Sequence, residues 1–161
     1  MKNRKLNRLP DFDYSRERSY FITFNTQNRV KYFGEISKQE MVLNPTGQIV
    51  FEQWQWLLNQ YPYLSADSFV IMPEHFHAIM SIKTSFNKKK DEGVNHPKIK
   101  SISELVGAFK TTSSKRIRLE TNPNFSWQRS FHDKIIQTPL EYENIKRYIQ
   151  NNPASYGDHH G

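Results

Sequence analysis

The chain has 161 residues, of which 36% are hydrophobic and 14% aromatic, and this predicts a single domain with its own core over residues 1–161. It contains no cysteine, which excludes a disulfide framework and a thiolate metal site. Residues 1–14 are charged and carry no apolar stretch like that of a signal peptide. We therefore expect a flexible basic N-terminus over these residues and a cytoplasmic protein.

The net charge is +7, and it is unevenly distributed. Residues 88–118 hold nine Lys and Arg against three acidic residues, which is a net +6 in this segment alone. A concentrated basic stretch is typical of proteins that bind polyanions such as nucleic acids. A solvated charged surface is the other interpretation of such a stretch.

The predicted elements alternate between strands and helices along the chain. The strands are rich in β-branched and aromatic residues and cover residues 20–26, 67–72, 75–82 and 127–136. The helices begin near Pro45, at a capping box formed by Ser101 and Glu104, and at Pro139, and the last one ends at about Asn151. Two polar segments complete the prediction: a mobile basic loop over residues 84–100 and a tail over residues 154–161.

The order β-α-β-β-α-β-α predicts an α+β fold. It is the order of a ferredoxin-like or RRM-like split βαβ antiparallel sheet, with one additional C-terminal helix.

Two histidines stand within the third predicted strand, in the stretch IMPEHFHAIM. Because side chains alternate along a strand, His75 and His77 share one face and Phe76 points to the other. The two residues lie ~6.5–7 Å apart along the strand, so both imidazoles can turn toward one divalent cation. The alternative is a pair of half-exposed strand histidines that have hydrogen-bond partners and bind no metal.

The final helix carries Tyr148 and Asn152 one turn apart on the same face. A phenol and an amide oxygen at this spacing bring a nucleophile and a third metal ligand to one place. The alternative for Tyr148 is an amphipathic tyrosine packed in the core. Tyr142 lacks an amide partner at this spacing, and Tyr156 lies beyond the proline that ends the helix. Because a residue before proline avoids the α conformation, we expect Asn152 at a frayed end.

The segments HFH, FKTTSSKRI, WQRSFHDKII and YIQNNP, in this order, resemble the REP-associated tyrosine transposases, which belong to the HUH single-tyrosine transposase superfamily. The resemblance extends from about Tyr14 to Tyr156. It implies that His75 and His77 hold Mg²⁺ or Mn²⁺, that Asn152 completes the metal sphere, and that Tyr148 is the nucleophile carried by the last helix. The wider superfamily usually has glutamine at the position of Asn152.

Several further residues are candidates for binding DNA. Lys110, Lys115, Arg116 and Arg118 are predicted to grip the backbone of a DNA hairpin. Arg129, beside Trp127 and Gln128, is predicted to contact an unpaired base, although core packing is the expected place of Trp127. His132 and Asp133 are interpreted as part of the rim of the active site, as a base near Tyr148, or as a structural polar pair.

These features predict a metal-dependent single-strand DNA endonuclease and strand-transfer enzyme. It would recognise hairpin DNA and cleave through a 5′-phosphotyrosine intermediate. One alternative is a non-catalytic hairpin DNA- or RNA-binding protein derived from a transposase. Another is a metal phosphodiesterase that uses no tyrosine nucleophile. A monomer and a homodimer both remain open, and DNA binding would associate the protein with the nucleoid.

Overall fold

The computed structural model describes residues 17–83 and 99–157. The strands and helices within these ranges are β1 (Glu17–Asn25), β2 (Gly34–Ser37), β3 (Glu40–Leu43), α1 (Pro45–Gln60), β4 (Leu64–Ile71), β5 (His75–Lys83), α2 (Ile102–Glu120), β6 (His132–Ile136) and α3 (Pro139–Asn151). The predicted N-terminus over residues 1–14, nearly all of the loop predicted over 84–100 and the last part of the predicted tail lie outside these ranges. No helix within them is long and apolar enough to cross a membrane.

The main sheet has the strand order β4-β5-β1-β6, and every neighbouring pair is antiparallel. Helix α1 lies in the connection from β1 to β4, and β5 lies between these two strands in the sheet. Helix α2 lies in the connection from β5 to β6, and β1 lies between those two strands. Each half is therefore a split βαβ unit. The predicted ferredoxin-like fold is confirmed, including the additional C-terminal helix α3.

One face of the sheet packs against α1 and α2 through an aromatic core. The ring of Phe76 lies 5.4 Å from that of Phe24 and 4.8 Å from that of Trp54, measured between centroids. Phe109 of α2 stacks on the same group, 5.5 Å from Phe24. Trp127 is 5% exposed and its Nε1 donates to Ser113 Oγ at 3.0 Å, which confirms that Trp127 packs in the core.

The helix boundaries follow local signals. Ser101 Oγ accepts from the backbone N–H of Glu104 at 3.1 Å, and the backbone N–H of Ser101 donates to Glu104 Oε1 at 2.9 Å. The predicted capping box is therefore present. Helix α3 begins with Pro139 at its first position, and Thr138 Oγ1 caps it by accepting from the N–H of Glu141.

Two features differ from the prediction. The β2–β3 hairpin was not predicted, because its strands have four residues each and its turn at Lys38 and Gln39 depends on positive φ angles of 53° and 65° at non-glycine residues. The predicted strand over 127–136 was too long, since β6 covers only His132–Ile136. Before β6, Lys110 Nζ donates to the carbonyls of Gln128 at 2.6 Å and Arg129 at 3.2 Å, so the chain curves around this amine instead of continuing in the sheet.

The first turn of α1 lies against the chain that leads into the β2–β3 hairpin. A Cβ at Gly47 would come within 2.2 Å of the carbonyl oxygen of Phe33, whereas a Cβ at Gly107 of α2 would have no neighbour within 4 Å. We expect Gly47→Ala to destabilise the protein by about 1–3 kcal/mol, because the added methyl group would force the backbone at Phe33 to shift. Gly107→Ala is the matched control and should stabilise it by about 0.5–1 kcal/mol, as alanine does in an exposed helix. Urea unfolding of both variants tests this, and equal effects would contradict it.

Candidate functional site

A pocket of about 230 Å³ opens on the face of the sheet opposite α1 and α2. It is bounded by the ends of β1 and β5, by the end of α3 and by the chain that follows α3. The residues that line it are Thr23, Asn25, Arg29, His75, His77, Tyr148, Asn152 and Tyr156. The structure therefore brings together the four residues for which the sequence predicted a metal-binding or nucleophilic role.

The pairing of β1 with β5 positions the two histidines. In this antiparallel register His75 lies opposite Asn25 and His77 opposite Thr23, so all four side chains belong to one face. The imidazole rings lie 4.7 Å apart between centroids. Thr23 Oγ1 is 2.9 Å from His77 Nδ1. Because this contact holds Nδ1, the Nε2 atom of His77 is the nitrogen left for a ligand.

His77 is 7% exposed, and His75 is 5% exposed. Burial, together with the neighbouring His75 and Arg29, lowers the pKa of His77 to about 3. The imidazole of His77 is therefore neutral at physiological pH, which is the form that binds a metal.

Tyr148 projects from α3 over the same face of the sheet. Its ring lies 5.4 Å from that of His77 and 6.2 Å from that of Phe21, edge-on to both. The side chain is 46% exposed, so the alternative of a buried core tyrosine does not apply. Tyr142, in contrast, donates its hydroxyl to Asp67 Oδ2 at 2.7 Å and does not line the pocket.

Asn152 follows Tyr148 by one turn and is 5% exposed. Its backbone is helical, with φ −56° and ψ −47°, and its N–H donates to the carbonyl of Ile149 at 3.2 Å. Asn152 therefore lies at the end of α3, as expected, but it keeps the α conformation that a residue before proline usually avoids.

A carboxylate that the sequence analysis missed lies beneath the pocket. Glu74 is 2% exposed. Its Oε2 accepts from Arg29 at 3.2 Å, its Oε1 accepts from the hydroxyl of Tyr156 at 3.1 Å, and Oε1 also lies 3.8 Å from His75 Nδ1. Burial would raise the pKa of Glu74, but His75, Arg29 and Tyr156 outweigh it and lower that pKa to about 2. Glu74 is therefore an ionised acceptor that joins three segments of the chain.

Tyr156 falls in the predicted tail, yet it lines the pocket. Burial and the charge of Glu74 raise the pKa of Tyr156. It is consequently a protonated donor to Glu74, and the Nζ of Lys31 lies 5.7 Å from its ring centroid. Its place after the helix gave no local signal of this contact.

The donors in the pocket fit a divalent ion with few protein ligands. Over residues 17–83 and 99–157, no group of three or more His, Cys, Asp or Glu side chains is arranged to hold a metal. The donor set consists instead of two imidazoles and the amide of Asn152. Both oxygens of Glu74 already accept hydrogen bonds. Two imidazoles and an amide oxygen can ligate a divalent ion, and three protein ligands leave positions for oxygens of a phosphate.

The five cations predicted to bind DNA fall into two groups. Lys110 is engaged by backbone carbonyls and its pKa is lowered by burial, and Arg116 forms ion pairs with Glu52 and Glu120, each at 3.0 Å. The side chains of Lys115, Arg118 and Arg129 are exposed. Arg118 and Arg129 line a second pocket, of about 290 Å³, on the α2 side of the sheet.

His132 and Asp133 occupy the exposed edge strand β6. His132 lies opposite Thr23 in the register and therefore on the pocket face, whereas Asp133 lies opposite Ile22 on the other face. Consecutive residues on opposite faces do not form a side-chain pair with each other. Neither residue lines the pocket itself.

Comparisons with known proteins connect this geometry to a family. A family model described as "Transposase IS200 like" matches residues 94–152, which include Tyr148 and Asn152. A Haemophilus influenzae protein of uncharacterized function is 33% identical over 159 residues, which cover 94% of this chain and 88% of that protein. The chain belongs to the IS200-like transposase family.

Two solved structures share the transposase fold. A REP-associated tyrosine transposase bound to a REP hairpin aligns with a TM-score of 0.61 at 20% identity, over 92% of this chain and 74% of the other. A Deinococcus radiodurans R1 protein described as a candidate transposase aligns with a TM-score of 0.53 at 15% identity, over 89% and 95% of the two chains. At these identities the likeness concerns the fold.

The shift in the pKa of His77 predicts how stability depends on pH in metal-free buffer. The unfolded imidazole takes up a proton near pH 6.5 and the folded one near pH 3. Between these values the unfolded state binds more protons, so the free energy of unfolding should fall as the pH drops, by at most about 1.4 kcal/mol per pH unit from this group. Urea unfolding from pH 7 to pH 3.5 should reveal the slope, and His77→Asn should reduce it. His132→Asn, at an exposed histidine, is the control. An unchanged slope in His77→Asn would contradict the assignment.

Proposed function

We propose that this member of the transposase family is a metal-dependent single-strand DNA endonuclease and strand-transfer enzyme that acts at hairpin DNA. The observation that carries the proposal is the convergence of the imidazoles of His75 and His77 and the phenol of Tyr148 on one pocket. A phenol beside two imidazoles that can ligate a metal suits a tyrosine nucleophile, because metal coordination is one way to activate such a group. All of these residues line the pocket within one copy of the chain.

In the proposed step, the hydroxyl oxygen of Tyr148 attacks a DNA phosphorus and the bond from phosphorus to the 3′ oxygen breaks. The products are a 5′-phosphotyrosine and a free 3′ hydroxyl, and the phenolic proton ends, in the overall balance, on that 3′ oxygen. No bond energy is lost, since one phosphodiester replaces another. The reverse attack by a 3′ hydroxyl therefore rejoins DNA without ATP.

His75, His77 and Asn152 would hold Mg²⁺ or Mn²⁺. When bound, the ion neutralises phosphate charge and orients the phosphate for in-line attack. Thr23 keeps the ring of His77 in the orientation that presents Nε2. Such partners of metal-binding histidines are a usual requirement for a well-defined site.

Arg29 is proposed to bind a phosphate oxygen of the substrate. It lines the pocket with a side chain that is 50% exposed, while its hydrogen bond to Glu74 fixes the position of the guanidinium. A guanidinium has five N–H donors, so the contact with Glu74 leaves donors for a phosphate.

The hairpin duplex is proposed to lie on the exposed cations Lys115, Arg118 and Arg129. Arg118 and Arg129 line a pocket together with Gln128, and the N–H of Gln128 donates at 2.8 Å to the carbonyl of Asn25, a residue that lines the site pocket. A strand leaving a hairpin there has a short path to Tyr148. A solved relative of the same fold is bound to a REP hairpin, which supports hairpin DNA as the partner.

The decisive test is a covalent adduct with labelled hairpin DNA that carries a single-stranded flank from beside the gene. With Mg²⁺ or Mn²⁺, the wild type should form a protein–DNA adduct that survives denaturing electrophoresis. Tyr148→Phe should abolish the adduct because it removes the attacking oxygen. Tyr142→Phe, on the same helix but outside the pocket, is the matched control and should retain it. Chelation of the metal, or His77→Ala, should also prevent adduct formation.

The other two functions give different outcomes. A non-catalytic binder would shift the hairpin in a gel and form no adduct under any metal condition. A metal phosphodiesterase would cleave DNA, and Tyr148→Phe would remain active. Either outcome would overturn the proposal.

A second prediction concerns hairpin binding and follows from the difference between the exposed cations and those that have partners within the protein. Arg129→Ala and Lys115→Ala should each weaken binding and reduce the slope of log K against log salt by about 1, since each removes one phosphate contact. Arg116→Ala is the control: its charge is matched by Glu52 and Glu120, so binding should change little. Fluorescence anisotropy at several salt concentrations measures all three variants. An Arg116→Ala effect as large as that of Arg129→Ala would contradict this difference.

A further inference from the structure

A second depression adjoins the site on the pocket face of the sheet. This groove, of about 510 Å³, runs between α3 and the strands β1 and β6. It is lined chiefly by Phe21 of β1 and by Leu140, Asn144, Ile145 and Tyr148 of α3. No residue of the groove other than Tyr148 has a place in the proposed chemistry.

The lining of the groove suits a flat, mostly apolar ring. Phe21 and Ile145 are half-buried, and Leu140 is 71% exposed, which is unusual for a large aliphatic side chain. Lys134 also lines the groove, but its amine is paired with the carboxylate of Glu141, so this wall carries no net charge. Such a surface favours an uncharged ring over a phosphate group.

Asn144 adds a polar group that can select the ring. Its Oδ1 accepts from Arg147 at 3.3 Å, which directs the amide NH₂ away from Arg147. An amide beside an aromatic and an aliphatic surface is the combination with which proteins bind unpaired bases.

The position of the groove identifies its occupant. Tyr148 lines both the groove and the pocket, so a phosphate attacked by its hydroxyl lies at their junction. The phosphate has a nucleoside on each side, and the groove is the apolar surface next to it. We propose that the groove binds one unpaired base of the substrate strand, directly flanking the scissile phosphate, and that Leu140 and Asn144 determine which base is accepted. This inference rests on the proposed function.

The test couples the groove to the substrate through a double-mutant cycle. One hairpin substrate would carry an abasic site on the 5′ side of the cleavage point, and another would carry it on the 3′ side. The rate of adduct formation with each substrate would be measured for the wild type and for the Leu140→Ala/Asn144→Ala double variant. In the wild type, one abasic position should slow the reaction by about fivefold to about a hundredfold, the range that stacking of one base provides. In the double variant this penalty should largely disappear. Leu119→Ala, which alters a leucine of α2 that is 76% exposed, is the control and should keep the full penalty.

A binding measurement makes the test independent of cleavage. Tyr148→Phe with 2-aminopurine at the flanking position should show fluorescence quenching by stacking, and adding Leu140→Ala and Asn144→Ala should remove the quenching. Equal abasic penalties in the wild type and the double variant, with quenching unchanged, would overturn the inference while leaving the proposed function intact. Absence of any adduct in the wild type would instead overturn the proposed function, and the inference with it.

Discussion

The antiparallel pairing of β1 with β5 is the constraint on which the site depends. Strand β5 is buried on both faces from His75 to Ile82. Alternation places Phe76 in the aromatic core and the two imidazoles on the opposite face. A slip of one residue in the register would move Phe76 out of the core and the histidines into it. The packing around Phe76 therefore also fixes the position of the histidines. A buried imidazole also needs a polar partner, and this register places Thr23 beside His77.

A single carboxylate holds the remaining parts of the pocket together. Glu74 contacts Arg29 after β1, His75 at the start of β5 and Tyr156 after α3. Burying a charge costs several kcal/mol unless opposite charge and hydrogen bonds compensate it, and here they do. The contact with Tyr156 ties the chain that follows α3 to the start of β5. It thereby keeps the end of α3, and with it Tyr148 and Asn152, over the histidines.

The charge of the chain is used in two ways. Part of the basic excess is structural: Lys110 draws the carbonyls before β6 around itself, and Arg116 joins α2 to α1 through Glu52. The exposed Arg118 and Arg129 line a pocket that also includes Gln128, whose N–H donates to the carbonyl of Asn25 at the end of β1. The cationic surface, the pocket and the apolar groove therefore follow one another around one end of the sheet and along α3. In the proposed complex these three surfaces would bind, in turn, the hairpin duplex, the scissile phosphate and one unpaired base.

Local patterns in the sequence determined the order of the helices and main-sheet strands, the capping box of α2, the start of α3 at Pro139, the shared face of His75 and His77, and the spacing of Tyr148 and Asn152. These follow from the periods of strand and helix and from contacts within one turn, which depend on neighbouring residues alone. Only the tertiary structure decided that Glu74 and Tyr156 meet, that Lys115, Arg118 and Arg129 are the exposed members of the five cations predicted to bind DNA, and that β6 begins at His132. Glu74 and Tyr156 are 82 residues apart. A contact over that distance depends on strand register and on the path of the whole chain, and no local pattern records it.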